Sequence, residues 1–177
     1  MDVFEPFEEG VEVRGQAVLS IVAGVPSAFE SRADDLLAAE GIDDPDPDEW
    51  YPQAAYLSAY RRIAEEIGDK TLQQVAQSTP KNAEWSSSVD GPLAALESID
   101  DAYRRNHRGG EIGSYEVTET GDDWATVACR TPYPCSYDRT LVEATVEVFS
   151  DGYADATEVG DGCRADGAER CTYRVEW

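Results

Sequence analysis

Four cysteines sit in two short-range pairs. Cys129 and Cys135 bracket a loop in "ACRTPYPCSYDR" (128–139), and Cys163 and Cys171 bracket a turn in "DGCRADGAERCTYRVEW" (161–177). Tetrahedral zinc is usually held by two such local pairs, so Cys129, Cys135, Cys163 and Cys171 are candidate metal ligands. Buried free thiols and a disulfide are the alternatives, the disulfide being disfavoured where a reducing compartment keeps thiols reduced. Turn parity bears on the second pair. A two-residue turn at Asp166-Gly167 sends Cys163 and Cys171 to opposite faces of a hairpin, whereas an odd turn sets them side by side.

His107 is the only histidine, which excludes motifs that need two, such as the His-Glu-x-x-His zinc helix. It follows Ile99 and Tyr103 at four-residue spacing, so it extends an apolar stripe at the end of a helix. There it either binds the free carbonyls ahead of Gly109 and Gly110 or contacts a ligand or metal. Arg130 and Arg139 flank the loop that Pro132 and Pro134 stiffen. They are suited to forking onto a carboxylate or phosphate, or to surface ion pairs. A thiol enzyme would need Cys135 activated by Arg130, Arg139 or His107. The sequence contains no Gly-x-Ser-x-Gly elbow, Walker loop or Rossmann fingerprint.

Two kinds of element position these residues. Helical periodicity marks 16–24, a helix opened by Pro26, the stripe Tyr56, Tyr60, Ile63, Ala64 and Ile67, a shorter helix ended by Pro80, and "LAALESIDDAYRRNHRGG" after Pro92. The acidic, proline-broken 42–50 is expected to be loop. The period then changes to two. "GSYEVTE" and "WATVACR" form a hairpin, "DRTLVEATVEVFSDG" is a helix, and "YADATEV" pairs with "CTYRVEW", whose Cys171, Tyr173, Val175 and Trp177 share one face. The expected fold is α+β: N-terminal helices (1–110) followed by an antiparallel ββαββ part (111–177), in one domain.

Against 37 acidic residues stand 14 basic ones, a formal charge of -23 that repels nucleic-acid phosphates and anionic membranes. The acids are dispersed, and nine Tyr and four Trp argue for a packed core rather than disorder. A dispersed acidic surface suits the salty cytoplasm of an extreme halophile. The first fifteen residues lack a basic and an apolar signal region, and no apolar stretch is long enough to cross a bilayer, so the expectation is cytoplasmic.

The closing "GDGCRADGAERCTYRVEW" resembles the ending of vinyl-reductase-type small-molecule-binding domains, and the element order resembles the heme-nitric-oxide-binding (H-NOX) domain. That resemblance implies a sensory or ligand-binding domain with a pocket between helices and sheet, and plausible metal ligands at Cys163 and Cys171. It implies a proximal histidine on the "LESIDDAYRRNHRGG" helix, where His107 is the candidate and Tyr103 lies one turn earlier. "YPCSYDR" offers Tyr133, Ser136 and Arg139 for the family's Tyr-x-Ser-x-Arg heme-propionate motif, at wider spacing. The candidate ligand-binding set is therefore Tyr103, His107, Arg130, Tyr133 and Arg139, in an apolar pocket with Tyr56, Tyr60 and Ile99. The first reading is a non-catalytic sensor with a structural zinc. A heme gas sensor and a thiol enzyme are the alternatives, and signalling would pass through a homodimer or a separate chain.

Overall fold

Strand β1 (Glu12–Arg14) leads directly into helix α1 (Gly15–Gly24) in a computed structural model that describes residues 3–177. A 3-10 turn (Ser27–Phe29) then opens α2 (Glu30–Ala39). Strand β2 (Trp50–Pro52) precedes α3 (Gln53–Glu66), where Tyr56, Leu57, Tyr60 and Ile63 form the buried stripe expected from their spacing. Gly68, at φ 124°, separates α3 from α4 (Asp69–Ser78) in a conformation that side-chain-bearing residues rarely adopt. Pro92 occupies the first turn of α5 (Pro92–Arg105), where its missing N–H costs nothing.

The expected helix does not reach His107. It stops at Arg105, and His107–Arg108 is strand β3, because Val13 of β1 pairs with His107 and supplies the backbone partners. With β2 on the other side of β1, these short strands make a second, three-stranded sheet that local periodicity does not reveal.

The second half follows the expected order: β4 (Ser114–Thr120), β5 (Trp124–Arg130), α6 (Cys135–Phe149), β6 (Asp155–Glu158) and β7 (Cys171–Glu176). The sheet is antiparallel in the order β4-β5-β7-β6. Helices α5 and α6 pack on each other and against it. Cys171, Tyr173 and Val175 of β7 are buried as alternation requires. One apolar cluster runs from Val11 and Leu36 through Tyr60 and Leu96 to Val127, Val142 and Val175, so helices and sheet share a core.

The joint between β5 and α6 is fixed by a carboxyl with no solvent exposure. Asp138 accepts hydrogen bonds from the Tyr115 hydroxyl of β4 and from Thr131 Oγ1, both at 2.7 Å. Burial is the main force acting on this group, and it pushes the carboxyl from 3.8 up to about 7. Folding therefore favours its protonated form. Its contribution to stability is full below the unfolded value of 3.8 and is lost as pH rises through about 7. Stability of the protein relative to an Asp138→Asn variant, read from urea midpoints, is expected to fall by up to a few kcal/mol between about pH 4 and about pH 8. A difference that stays flat with pH would show that Asp138 does not titrate in this window.

Candidate functional site

Between α3, α5 and the start of α6 lies an aromatic layer around one imidazole. Tyr56 and Tyr60 of α3 are 5.0 Å apart by ring centroid, Tyr60 lies 5.7 Å from Tyr133, and Tyr133 lies 5.2 Å from Tyr137. Tyr103 packs 4.2 Å from the His107 ring. All of these residues are buried. Tyr56, Tyr60, Ile99 and Tyr103, expected to line an open pocket, are packed core instead. Two surface depressions lie elsewhere, one beside Pro92, Phe149 and Trp177 and the other beside Leu19, Leu37 and Pro45.

The geometry at His107 determines its protonation. Nδ1 lies 2.8 Å from the Tyr103 carbonyl, which can only accept, so the proton is on Nδ1. Nε2 then accepts from the Tyr133 hydroxyl at 2.8 Å. Burial holds the imidazole neutral, with its pKa pushed from 6.5 down to about 4 against the opposing pull of the Tyr103 carbonyl. The sequence expectation that His107 binds a helix-terminal carbonyl is met, but as a neutral donor in a strand it does not complement the helix dipole as a cation.

Tyr103, His107 and Tyr133 are brought together from the expected ligand-binding set, whereas Arg130 and Arg139 are not. Arg130 forms an ion pair with Glu111 at 3.0 Å and stacks over Phe7, while Arg139 lies exposed on α6. Two further polar residues of this layer escaped the sequence reading. Gln53 is fully buried beside the Tyr103 and Tyr133 hydroxyls, and neither its Oε1 nor its Nε2 has a hydrogen-bond partner. Arg164 is 1% exposed and donates through Nη1 to the Tyr133 carbonyl at 3.3 Å, and its Nε and Nη2 have no partner. Such groups are rare in folded interiors and mark places where something polar is accommodated. No local pattern announces either residue.

The second feature is a cluster of sulfurs. Cys171 Sγ lies 3.0 Å from Cys163 Sγ and 3.2 Å from Cys135 Sγ, and the three are within 4.8 Å of one another. Cys135 is the first residue of α6, three residues earlier than that helix was expected to begin, and Cys171 is the first residue of β7. Neither turn parity applies to Cys163. Strand β6 ends at Glu158, and a 3-10 turn at Arg164–Asp166 folds residue 163 back over β7.

Cys129 is the exception among the four candidate metal ligands. It pairs with Cys171 across β5 and β7 but lies outside the three-sulfur group, buried against the core. Hydrogen bonding from the Cys135 thiol, ahead of opposing burial, pushes Cys171 down to about 5. Its two neighbours are pushed up: Cys135 first by its bond to Cys171, and Cys163 first by burial. The Arg164 N–H donates to Cys171 Sγ at 3.3 Å, and the adjacent Ala165 N–H favours charge on Cys135 and Cys163. The Cys135 thiol is pushed up, first by its bond to Cys171, and Arg130 and His107 are engaged with other partners.

No protein-family model and no curated protein matches the sequence. Solved structures do match. One, determined to probe heme distortion in the H-NOX family, aligns with 93% of this chain and 94% of its own at 17% identity, with a TM-score of 0.71. An Fe(II) H-NOX protein from S. oneidensis covers 92% and 95% at 13% identity, TM-score 0.70. The oxygen complex of an oxygen-binding H-NOX domain related to soluble guanylate cyclases covers 92% and 94% at 17% identity, TM-score 0.69. Across nearly its whole length, this chain has the H-NOX fold.

Proposed function

We propose that the chain, acting as one domain, is a non-catalytic sensory domain that responds to a small gaseous ligand through a heme held at His107. Among the readings left open by the sequence, the fold neighbours favour this one over the zinc-only sensor. The observation that carries it is the set of bonds at His107. A metal-binding histidine characteristically donates its second ring N–H to a carbonyl and keeps the other nitrogen neutral, as His107 does with Tyr103.

The donor set fits a heme. His107 offers an unprotonated Nε2, Arg164 offers two unpartnered buried donors suited to a propionate, and the aromatic layer supplies apolar walls. When bound, the group would supply an iron that takes a diatomic gas. Tyr133 must give up its hydrogen bond to Nε2, and its ring must part from those of Tyr60 and Tyr137, because Tyr133 fills the space in front of Nε2 and packs against both.

A second reading is independent and compatible with the first. The three-sulfur cluster, with backbone N–H groups directed at its sulfurs, supports a cysteine-bound zinc joining α6, the 3-10 turn and β7. Among the described residues no helix is long and apolar enough to cross a membrane. Output passes to a separate chain or a second copy.

A Soret band is expected from the purified or hemin-reconstituted protein and is expected to be lost in His107→Ala. Tyr133→Phe frees Nε2 of one hydrogen bond worth about 1 kcal/mol, so heme affinity should rise about fivefold. Absence of a Soret band from folded, reconstituted protein would overturn the heme reading. Elemental analysis should give one zinc per chain, retained in Cys129→Ser and lost in Cys171→Ser. Chelation should lower the thermal midpoint.

A further inference from the structure

We infer that the metal centre at Cys135, Cys163 and Cys171 is closed by the protein on three sides only, and that its fourth position takes a small soft ligand from solution, a low-molecular-weight thiol. This deepens the zinc reading and rests on it.

The donor count is the first argument. Structural zinc sites are closed by four protein ligands, whereas sites with three protein ligands keep a position for water or an added molecule. Among the described residues, no histidine, aspartate, glutamate or cysteine joins the three sulfurs. The acids dispersed along the chain do not provide one, and the only histidine is bonded to Tyr103 and Tyr133.

Cys129 is the natural fourth ligand by residue type, and it is held away. It pairs with Cys171 at the last position of the β5–β7 ladder, has no solvent exposure, and its sulfur lies outside the three-sulfur group.

Access is the second argument. Cys163 and Cys171 are buried, but Cys135 is only half-buried, so solvent reaches the cluster from the side of α6. That side is the N-terminal end of a fifteen-residue helix, whose unpaired N–H groups favour a negatively charged arrival. Softness selects the ligand. With three sulfurs already present, a fourth thiolate displaces water by forming one further metal–sulfur bond, and the thiol proton leaves to solvent. A hard oxyanion has no comparable gain against a chain of formal charge -23.

X-ray absorption on the zinc-loaded full chain provides the test, with 2-mercaptoethanol as the probe. Three sulfur neighbours and one oxygen or nitrogen are expected without the probe. Four sulfurs are expected with it, saturably and unchanged in Cys129→Ser. Four sulfurs before any addition, falling to three in Cys129→Ser, would overturn the inference while leaving the zinc reading intact. A three-sulfur centre that the probe does not alter would also overturn it. A folded chain that binds no zinc would remove the zinc reading itself.

Discussion

Tyr133 is held at every polar atom it has, and both candidate sites depend on that. Its N–H donates to Thr131 Oγ1 at 3.3 Å, its carbonyl accepts from Arg164, and its hydroxyl donates to His107 Nε2. Thr131 in turn donates to the buried Asp138. Pro132 and Pro134 on either side limit the backbone alternatives, so little conformational freedom remains to be lost when these bonds form. The same short segment therefore orients the imidazole on one side and delivers Cys135 to the sulfur cluster on the other. Interior polar networks of this kind strongly favour one arrangement, since each unmade bond leaves a desolvated group unpaired.

Surface charge contributes little to that specificity. The ion pairs Arg14–Asp48, Arg32–Glu66 and Arg104–Asp100 are all solvent-exposed, where such pairs are worth between nothing and about 1 kcal/mol. With many more acids than bases, most carboxylates have no cationic partner and repel one another through solvent. Added salt screens that repulsion. The interior departs from this pattern: His107 and Gln53 are buried as neutral groups, burial pushes the Asp138 carboxyl up to about 7, and Arg164 is buried among them.

How much could be read from the sequence depended on the range of the forces involved. The stripe Tyr56, Tyr60, Ile63 and the alternation Cys171, Tyr173, Val175 are local patterns imposed by one buried face, and both fold as read. Strands β1 to β3 have two or three residues each and carry no period. They exist because Glu12–Arg14 lies between two distant segments, and that pairing takes His107 off its expected helix. Cys163 reaches Cys171 through a 3-10 turn rather than across a ladder, so counting residues in a hairpin could not place it. Arg164 sits among acids, glycines and turn residues that suggest exposure. Its burial follows only from the Tyr133 carbonyl and the Phe7 ring, supplied by remote parts of the chain.

The two candidate sites meet at Arg164, whose N–H bonds Cys171 while its side chain bonds Tyr133. On the zinc reading the three sulfurs would bind the ion as thiolates and release their protons, so loading would be pH-dependent. The bonds between the two sites also open a positional link. Zinc–sulfur bonds of about 2.3 Å would spread sulfurs that lie 3.0 and 3.2 Å apart, and the 3-10 turn, the Arg164 side chain and the Tyr133 carbonyl form the bonded path from there to the hydroxyl on His107 Nε2. Those three groups have fixed partners on both sides, which is the condition for a small displacement to be transmitted rather than absorbed.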